Sequence, residues 1–334
     1  MELRAILPKQ KKVDTLVFLT SLFSSEDRLI LAPMQNLTSL FFRKSFEKFF
    51  PKSFYYAITP FISATSNKTD IKSIHFKDIL PQDNENSIPI VPQVIGNNGE
   101  YILNTCKVIE SLGYREVNLN MGCPKKDIVS RGRGAGMLTN PDSIQEIIET
   151  ILKDTTLQVS IKVRLGVKDS SDCRKLVPVI NSLPLKSVCI HPRKAIDFYG
   201  GSVDVDVDEF EYLAKEIKHT IIYNGDIFSV EDFSNLKMRF PFIKHWMIGR
   251  GVLRNPLLAF EIRGIPAEKD ILLKPFIKDV EENFIATLRS YNERLVLGKM
   301  KEFTKYLCKG LNIDEGPFVH STSLEEINSL LNQI

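Results

Sequence analysis

The chain has 334 residues, of which 43% are hydrophobic and 25% charged, and its formal net charge is +3. These proportions are typical of a globular protein, and no apolar run approaches the roughly 18 residues that cross a membrane. They exclude a membrane-spanning chain and a disordered one, and so small a net charge does not by itself predict a nucleic-acid partner. We therefore expect a soluble protein with one large domain and an appendage, or with two domains.

Neither the amino terminus nor the cysteines indicate export or metal binding. Residues 1–27 contain an apolar patch, 16–23, but no small-residue cleavage site follows it, so we interpret them as an N-terminal extension and not as a signal peptide. The five cysteines are dispersed, with no CxxC pair and no histidine at metal-ligand spacing. This pattern favours reduced thiols over disulfides or zinc, so we expect no metal and a cytoplasmic location.

From residue 28 onward, short apolar segments alternate with amphipathic ones. The predicted strands cover 29–34, 54–60, 88–96, 116–120, 157–164, 187–191, 220–224 and 245–249. The predicted helices between them cover 39–50, 100–112, 142–152, 172–183, 207–218 and 230–238. Strands separated by helices pair in parallel, and eight such units in about 235 residues match the size of a (β/α)8 barrel.

A doubly wound open sheet is the competing architecture. It would normally place a glycine-rich dinucleotide fingerprint after the first strand, whereas Pro33-Met34-Gln35-Asn36 follows here. We therefore predict an α/β fold, a (β/α)8 TIM barrel over 28–264. Beyond it only helical patterns continue, over 270–311 and 324–331, which predicts a small all-helical C-terminal domain over 265–334. Its six cations within 289–309 fit a solvated helix face and a phosphate-binding face equally well.

The fourth predicted strand ends at a cysteine. It runs through Asn118 and Asn120 into Gly122-Cys123-Pro124, where glycine and proline stop the strand and leave the thiol in a loop. Four cations follow among glycines, at Lys125, Lys126, Arg131 and Arg133. A buried, inert cysteine is the alternative, but a loop of this composition beside a thiol is typical of a place where an anionic ligand approaches the backbone.

The loops after the last two strands predict a phosphate site. Asn224-Gly225-Asp226 and Gly249-Arg250-Gly251 occupy the positions where barrels commonly bind phosphate through backbone amides. Lys162 lies in a strand between apolar neighbours, and burying its charge is costly unless an anion or an electron-rich ring meets it. These residues together indicate a mononucleotide cofactor at the mouth of the barrel.

In this order, the motifs resemble those of the tRNA-dihydrouridine synthases. The resemblance runs from about Ile30 to Ile262, and the Asn-x-Gly-Cys-Pro element with its basic glycine loop is its most specific part. The matching segments are Ala32-Pro33-Met34, Asn118-Leu119-Asn120-Met121-Gly122-Cys123-Pro124, Gly134-Ala135-Gly136-Met137-Leu138, Ile161-Lys162-Val163-Arg164, His191, Asn224-Gly225-Asp226-Ile227, Gly249-Arg250-Gly251 and Asn255-Pro256. The resemblance implies an FMN-bearing barrel, a helical tRNA-binding domain, and NAD(P)H-dependent reduction of uridine to 5,6-dihydrouridine in RNA, most often tRNA.

The resemblance also implies a role for each matching residue. Cys123 would protonate carbon 5 of uracil after reduced flavin gives hydride to carbon 6, and Asn120 would orient the flavin or the uracil. The isoalloxazine ring would be lined by Pro33, Met34 and Gln93, and its polar edge contacted by Lys162 and His191. The ribityl chain and phosphate would be held by Asn224, Gly225, Asp226, Gly249 and Arg250. The RNA would be held by Lys125, Lys126, Arg131, Arg133 and Arg193.

The chain departs from the family pattern at two places in the barrel. His191-Pro192-Arg193-Lys194 stands where the family has His-Gly-Arg-Thr, and Pro192 removes a backbone donor. Arg254 replaces a glycine and adds a cation near the phosphate loops. There are two alternative hypotheses. The first is an FMN barrel that acts on a free pyrimidine or enone, and the second is an RNA-binding module without catalysis. The basic loop and the helical tail argue against the first hypothesis, and Cys123 and Lys162 argue against the second. We expect neither an obligate protein partner nor a membrane.

Overall fold

The computed structural model describes residues 22–65, 76–198, 203–286 and 292–333. Residues 1–21 of the predicted extension 1–27 therefore lie outside the described residues. Where the chain is described, no helix combines the length and the apolar character needed to cross a bilayer.

All strands of the barrel pair in parallel. They are β1 (Arg28–Leu31), β2 (Tyr56–Ile58), β3 (Ile62–Ser63), β4 (Ile90–Val91), β5 (Gln93–Ile95), β6 (Glu116–Met121), β7 (Gln158–Gly166), β8 (Ser187–Lys194), β9 (Thr220–Tyr223) and β10 (His245–Ile248). The order in the sheet is β3-β5-β6-β7-β8-β9-β10-β1-β2-β4. Only Pro92 separates β4 from β5, so the two ends of the sheet meet and the sheet closes. Because β2 with β3 and β4 with β5 each form one interrupted strand, the predicted eight-stranded barrel is confirmed.

The six helices predicted between the strands are present, with ends that differ by at most two residues, and further short helices were not predicted. The helices are α1 (Leu40–Phe49), α2 (Gly99–Ser111), α3 (Lys126–Val129), α4 (Pro141–Asp154), α5 (Asp172–Ser182), α6 (Val207–Glu216), α7 (Val230–Arg239), α8 (Arg250–Arg254), α9 (Leu258–Ile262), α10 (Lys269–Ala286), α11 (Glu293–Leu311), α12 (Gly316–His320) and α13 (Leu324–Leu331). Side chains that accept a hydrogen bond from the first turn begin several of them, among them Asn98, Asn140, Asp206 and Ser229.

The C-terminal helices share an aromatic core with the barrel. Phe42 and Phe46 of α1 and Phe50, directly after it, are fully buried and surround the ring of Phe276 on α10, with ring centroids 5.2–5.9 Å apart. Phe303 on α11 adds an edge contact to Phe42 at 6.2 Å. Aromatic pairs at these distances stabilise beyond the area that they bury, so the helices are firmly docked. The division of the chain at residues 264 and 265 remains a prediction.

The helix α11 crosses α8 at a glycine. A Cβ added to Gly310 would lie 1.8 Å from the carbonyl oxygen of Arg254, so only glycine permits this approach of the two backbones. Replacing Gly310 with alanine should therefore push the helices apart and lower the free energy of unfolding by about 1–3 kcal/mol. The measurement is urea denaturation of the two proteins.

Gly298, on the same helix, provides the matched control. A Cβ at Gly298 would meet nothing within 4 Å. Gly298→Ala should raise the stability by up to about 1 kcal/mol, because alanine is the better helix former. Equal effects of the two substitutions would contradict the close crossing at Gly310.

Candidate active site

Alternation along the strands decides which side chains enter the barrel. Successive residues of a strand point to opposite faces, and Leu119 on β6 and Ile161 on β7 belong to the apolar layer under the helices. Their neighbours in the chain therefore point inward. The polar side chains that enter the barrel in this way are Asn118, Asn120, Ser160, Lys162, Arg164, His191 and Arg193.

Four of these side chains, Asn120, Lys162, Arg164 and His191, meet in a cleft at the carboxyl ends of the strands, whose volume is about 820 Å³ with the part open to solvent included. The lining residues are Ala32, Pro33, Met34, Gln35, Phe61, Asn120, Gly122, Cys123, Lys125, Lys162, Arg164, His191, Asn224, Gly225, Asp226, Ile227, Phe228, Gly249, Arg250 and Gly251. The structure thus brings together the predicted catalytic cysteine and every predicted cofactor residue except Gln93. Sequence reasoning missed Phe61 and Phe228, which are apolar residues in strand-end loops and carry no signal of their own.

Cys123 is held at the cleft wall by the turn that follows β6. The backbone N–H groups of Gly122 and Cys123 donate to Oδ1 of Asn120 at 3.2 and 2.9 Å. Arg164 donates from Nε to the carbonyl oxygen of Gly122 at 2.9 Å, which fixes the turn from β7. The Cys123 residue is 7% exposed, and burial raises the pKa of its thiol. The thiol is therefore protonated at neutral pH and has a proton to give.

Gln93 does not line the cleft, but it is hydrogen-bonded to Asn120, which does. Its side-chain amide donates to Oδ1 of Asn118 at 2.7 Å and accepts from Nδ2 of Asn120 at 2.8 Å. Asn118 in turn donates to Oγ of Ser160 at 3.0 Å. Gln93 is fully buried, so the hydrogen bonds that it makes orient Asn120 and, through Asn120, the turn that carries Cys123.

Replacing Gln93 with leucine tests this arrangement. Leucine would remove the hydrogen bonds that Gln93 makes to Oδ1 of Asn118 and Nδ2 of Asn120, which should lower the free energy of unfolding by about 1–3 kcal/mol. Chemical denaturation measures that loss, and fluorescence titration measures flavin binding. A fall in flavin affinity with unchanged stability would instead make Gln93 a direct cofactor contact, as the family resemblance implies.

The inner wall of the cleft is positively charged. Among the described residues, the ammonium group of Lys162 has neither a hydrogen bond nor a carboxylate within salt-bridge distance, and burial in the barrel lowers its pKa. Burial, together with the positive charges of Arg164 and Lys162, holds the pKa of His191 well below its usual range. His191 is therefore neutral at physiological pH, and the wall favours an anionic or electron-rich ligand.

The loops after β9 and β10 bring a carboxylate between two guanidinium groups. Asp226 forms ion pairs with both Arg193 and Arg250. Asn224 donates from Nδ2 to the carbonyl oxygen of Met247 at 3.0 Å, which ties the two loops together. At Gly251 a Cβ would lie 2.1 Å from the carbonyl oxygen of Ile227, so the loops are packed backbone to backbone. The sequence-predicted phosphate loops thus form one structure, with Arg250 at its centre.

The predicted RNA contacts divide into two groups. Lys125 is exposed and lines the cleft, Lys126 and Arg131 are exposed in the segment that follows it, and half-buried Arg133 has its Nε 3.4 Å from Oδ1 of Asn97. Arg193 is apart from this group, because it is 2% exposed and engaged with Asp226. Across the described ranges, no three His, Cys, Asp or Glu side chains come together as a metal site would require.

Comparison with known proteins agrees with the architecture and the motifs. The sequence model of the dihydrouridine synthase (Dus) family matches residues 30–326. The tRNA-dihydrouridine synthase B of Pasteurella multocida is 26% identical over 265 residues, which cover 77% of this chain and 75% of the relative. A probable tRNA-dihydrouridine synthase of Rickettsia conorii is 24% identical over 290 residues, 85% of each chain.

Among solved structures, a morphinone reductase with one asparagine-to-alanine substitution, in complex with tetrahydroNAD, superposes with a TM-score of 0.51. It is 9% identical and the match covers 72% of this chain and 87% of that one, so the likeness concerns the fold alone. The family model, by contrast, spans most of the sequence and includes the cysteine, lysine and arginine of the cleft. The chain therefore belongs to the dihydrouridine synthase family.

Proposed function

We propose that this oxidoreductase reduces uridine in RNA to 5,6-dihydrouridine, with electrons that come from NAD(P)H through a bound FMN. The substrate that we expect is tRNA, as the names of the Pasteurella and Rickettsia relatives suggest. The observation that carries the proposal is the position of Cys123, a protonated thiol on the wall of the cleft that Lys162 and Arg250 also line.

The residues of the cleft fit FMN. Met34 and Pro33 offer an apolar surface to a flat ring, Lys162 offers a positive charge at its polar edge, and Arg250 offers a guanidinium group to a phosphate. We assign His191 to the ring edge, and the ribityl chain and phosphate to Asn224, Gly225, Gly249 and Arg250, with Asp226 holding Arg250 in place.

The protein's own part in the reaction is proton transfer. When it is bound, a reduced flavin supplies hydride to carbon 6 of uracil. Cys123 gives its thiol proton to carbon 5, and the thiolate that remains takes a proton from solvent, so that two electrons and two hydrogens are added in all. The backbone N–H groups of Gly122 and Cys123 donate hydrogen bonds to Asn120. These bonds keep the thiol at the cleft while the reduced base leaves and the next uracil enters.

The exposed cations beside the cleft suit a nucleic-acid substrate. A base in folded RNA must leave its stack to reach a pocket inside a barrel, and the strand on either side of it must then be held. Lys125 lines the cleft, and Lys126 and Arg131 are exposed in the segment that follows it, where we expect the flanking phosphates to pass. Their charge supports RNA over a free pyrimidine as the substrate.

Mass spectrometry of nucleosides tests the proposal. We expect that RNA from cells that lack the protein has lost dihydrouridine at specific tRNA positions, and that the purified protein is yellow and restores it with NADPH. A colourless protein, or an unchanged dihydrouridine content, would contradict the proposal. Reduction of free uridine but not of tRNA would point to the small-molecule alternative.

A further inference from the structure

A second pocket opens between the barrel and α11, next to the loops that carry Arg250. Its volume, with the part open to solvent included, is about 1,110 Å³. The barrel and the C-terminal helix both line it, with Arg193, Val203, Asp204, Asp226, Phe228, Arg250, Arg254, Glu302, Lys305, Tyr306 and Lys309. It adjoins the cleft, because both are lined by Asp226, Phe228 and Arg250.

The pocket contains more positive than negative charge, with five cations against three carboxylates. Arg193 and Arg250 share Asp226, and Lys305 lies 3.7 Å from Glu315. Arg254 and Lys309 differ from them, because no carboxylate of the described residues lies within salt-bridge distance of either. The charge that a ligand would meet is therefore concentrated on these two residues.

The position of Arg254 is fixed by its surroundings. Its guanidinium lies 4.1 Å from the centre of the Phe228 ring, and its Nε is buried without a hydrogen-bond partner. The close crossing of α8 by α11 at Gly310 keeps Lys309 beside it. Burial and the neighbouring Arg250 lower the pKa of Arg254, so a bound anion would relieve an unfavourable cluster of positive charges.

Arg250 and Arg254 lie four residues apart on α8. Residues at this spacing are neighbours on one helix face, about 5–6 Å apart at their Cβ atoms. If Arg250 holds the cofactor phosphate, Arg254 offers a second planar guanidinium one helical turn away, in the adjoining pocket. Arginine binds phosphate oxygens with two parallel hydrogen bonds, which suits this place better than a point charge would.

We propose that the pocket is a second phosphate site, in which Arg254 and Lys309 bind a phosphate group of the enzyme's other reactant. That group belongs either to the pyridine dinucleotide or to the RNA backbone. The choice of these two reactants rests on the proposed function, whereas the binding of phosphate does not.

Two variants of the full-length protein test the site, Arg254→Gln and Lys309→Gln. Calorimetry would measure the affinity for adenosine 2′,5′-bisphosphate with 5′-AMP as the comparison, and filter binding the affinity for an unmodified tRNA transcript. We expect each variant to bind one of these two probes with an affinity lower by roughly tenfold or more, which is the effect of a lost charge-assisted hydrogen bond. If the probe affected is RNA, its salt dependence should also become less steep by about one phosphate contact.

Lys301→Gln is the matched control, because Lys301 lies on the same helix and binds the carbonyl oxygen of Val319 outside the pocket. If both variants kept their affinity for both probes, the proposed phosphate site would be overturned. Loss of FMN from a variant whose affinities for the two probes were intact would overturn it as well. Lys309 is exposed, so its variant keeps the test valid if Arg254→Gln does not fold. A protein that binds these probes but forms no dihydrouridine would refute the proposed function and leave the phosphate site standing.

Discussion

Replacing Cys123 with alanine should abolish most uridine reduction and leave the flavin bound and reducible by NADPH. General acids contribute roughly 10²–10⁴-fold to rate, and no other thiol lines the cleft among the described residues. Stopped-flow absorbance separates the two half-reactions. Reduction of the flavin by NADPH should keep its rate, and reoxidation of the flavin by tRNA should slow by that factor.

Cys106→Ala is the control for the loss of a buried thiol. Cys106 is fully buried on α2, away from the cleft, and its replacement should not change either half-reaction. Unchanged dihydrouridine formation by the Cys123→Ala protein would remove Cys123 from its proposed role. A loss of flavin in that variant would instead make Cys123 a part of the cofactor site.

The same thiol predicts the dependence of uridine reduction on pH. Burial raises the pKa of Cys123, and an acid must be protonated to act, so the rate should be constant through neutral pH. It should then fall as pH rises through a value above the ordinary thiol pKa of about 8.5. An inflection below neutral pH in the rate of flavin reoxidation would contradict this assignment.

The barrel could be predicted from the sequence because its signals are local. Apolar segments of strand length alternate with amphipathic helices, and each unit shows its own periodicity. The position of Cys123, Lys162 and Arg250 at one mouth followed from the rule that parallel strands end on the same side. Arg164 and Arg193 follow the same rule, since each lies two residues beyond Lys162 or His191 on the same strand and shares its inward direction.

Contacts that depend on register and on docking could not be read from the sequence. Gln93 pairs with Asn118 across β5 and β6, and that register brings their amides together behind the cleft. Nothing in the residues near Gln93 distinguishes such a buried position from a place at the flavin. Likewise, the nearness of Arg254 and Lys309 results from the crossing of two helices that are far apart in the chain.

Replacing Arg250 with glutamine should weaken FMN binding by roughly 10- to 100-fold, because a charge-assisted hydrogen bond to phosphate contributes about 1.5–3 kcal/mol. The fold should survive, since Asp226 keeps its ion pair with Arg193. Fluorescence titration of the apoprotein with FMN measures the effect. Arg239→Gln, which removes surface ion pairs between α7 and α6, should leave the affinity as it is. An unchanged dissociation constant in the Arg250→Gln protein would place the phosphate elsewhere and make Arg254 the next guanidinium to test.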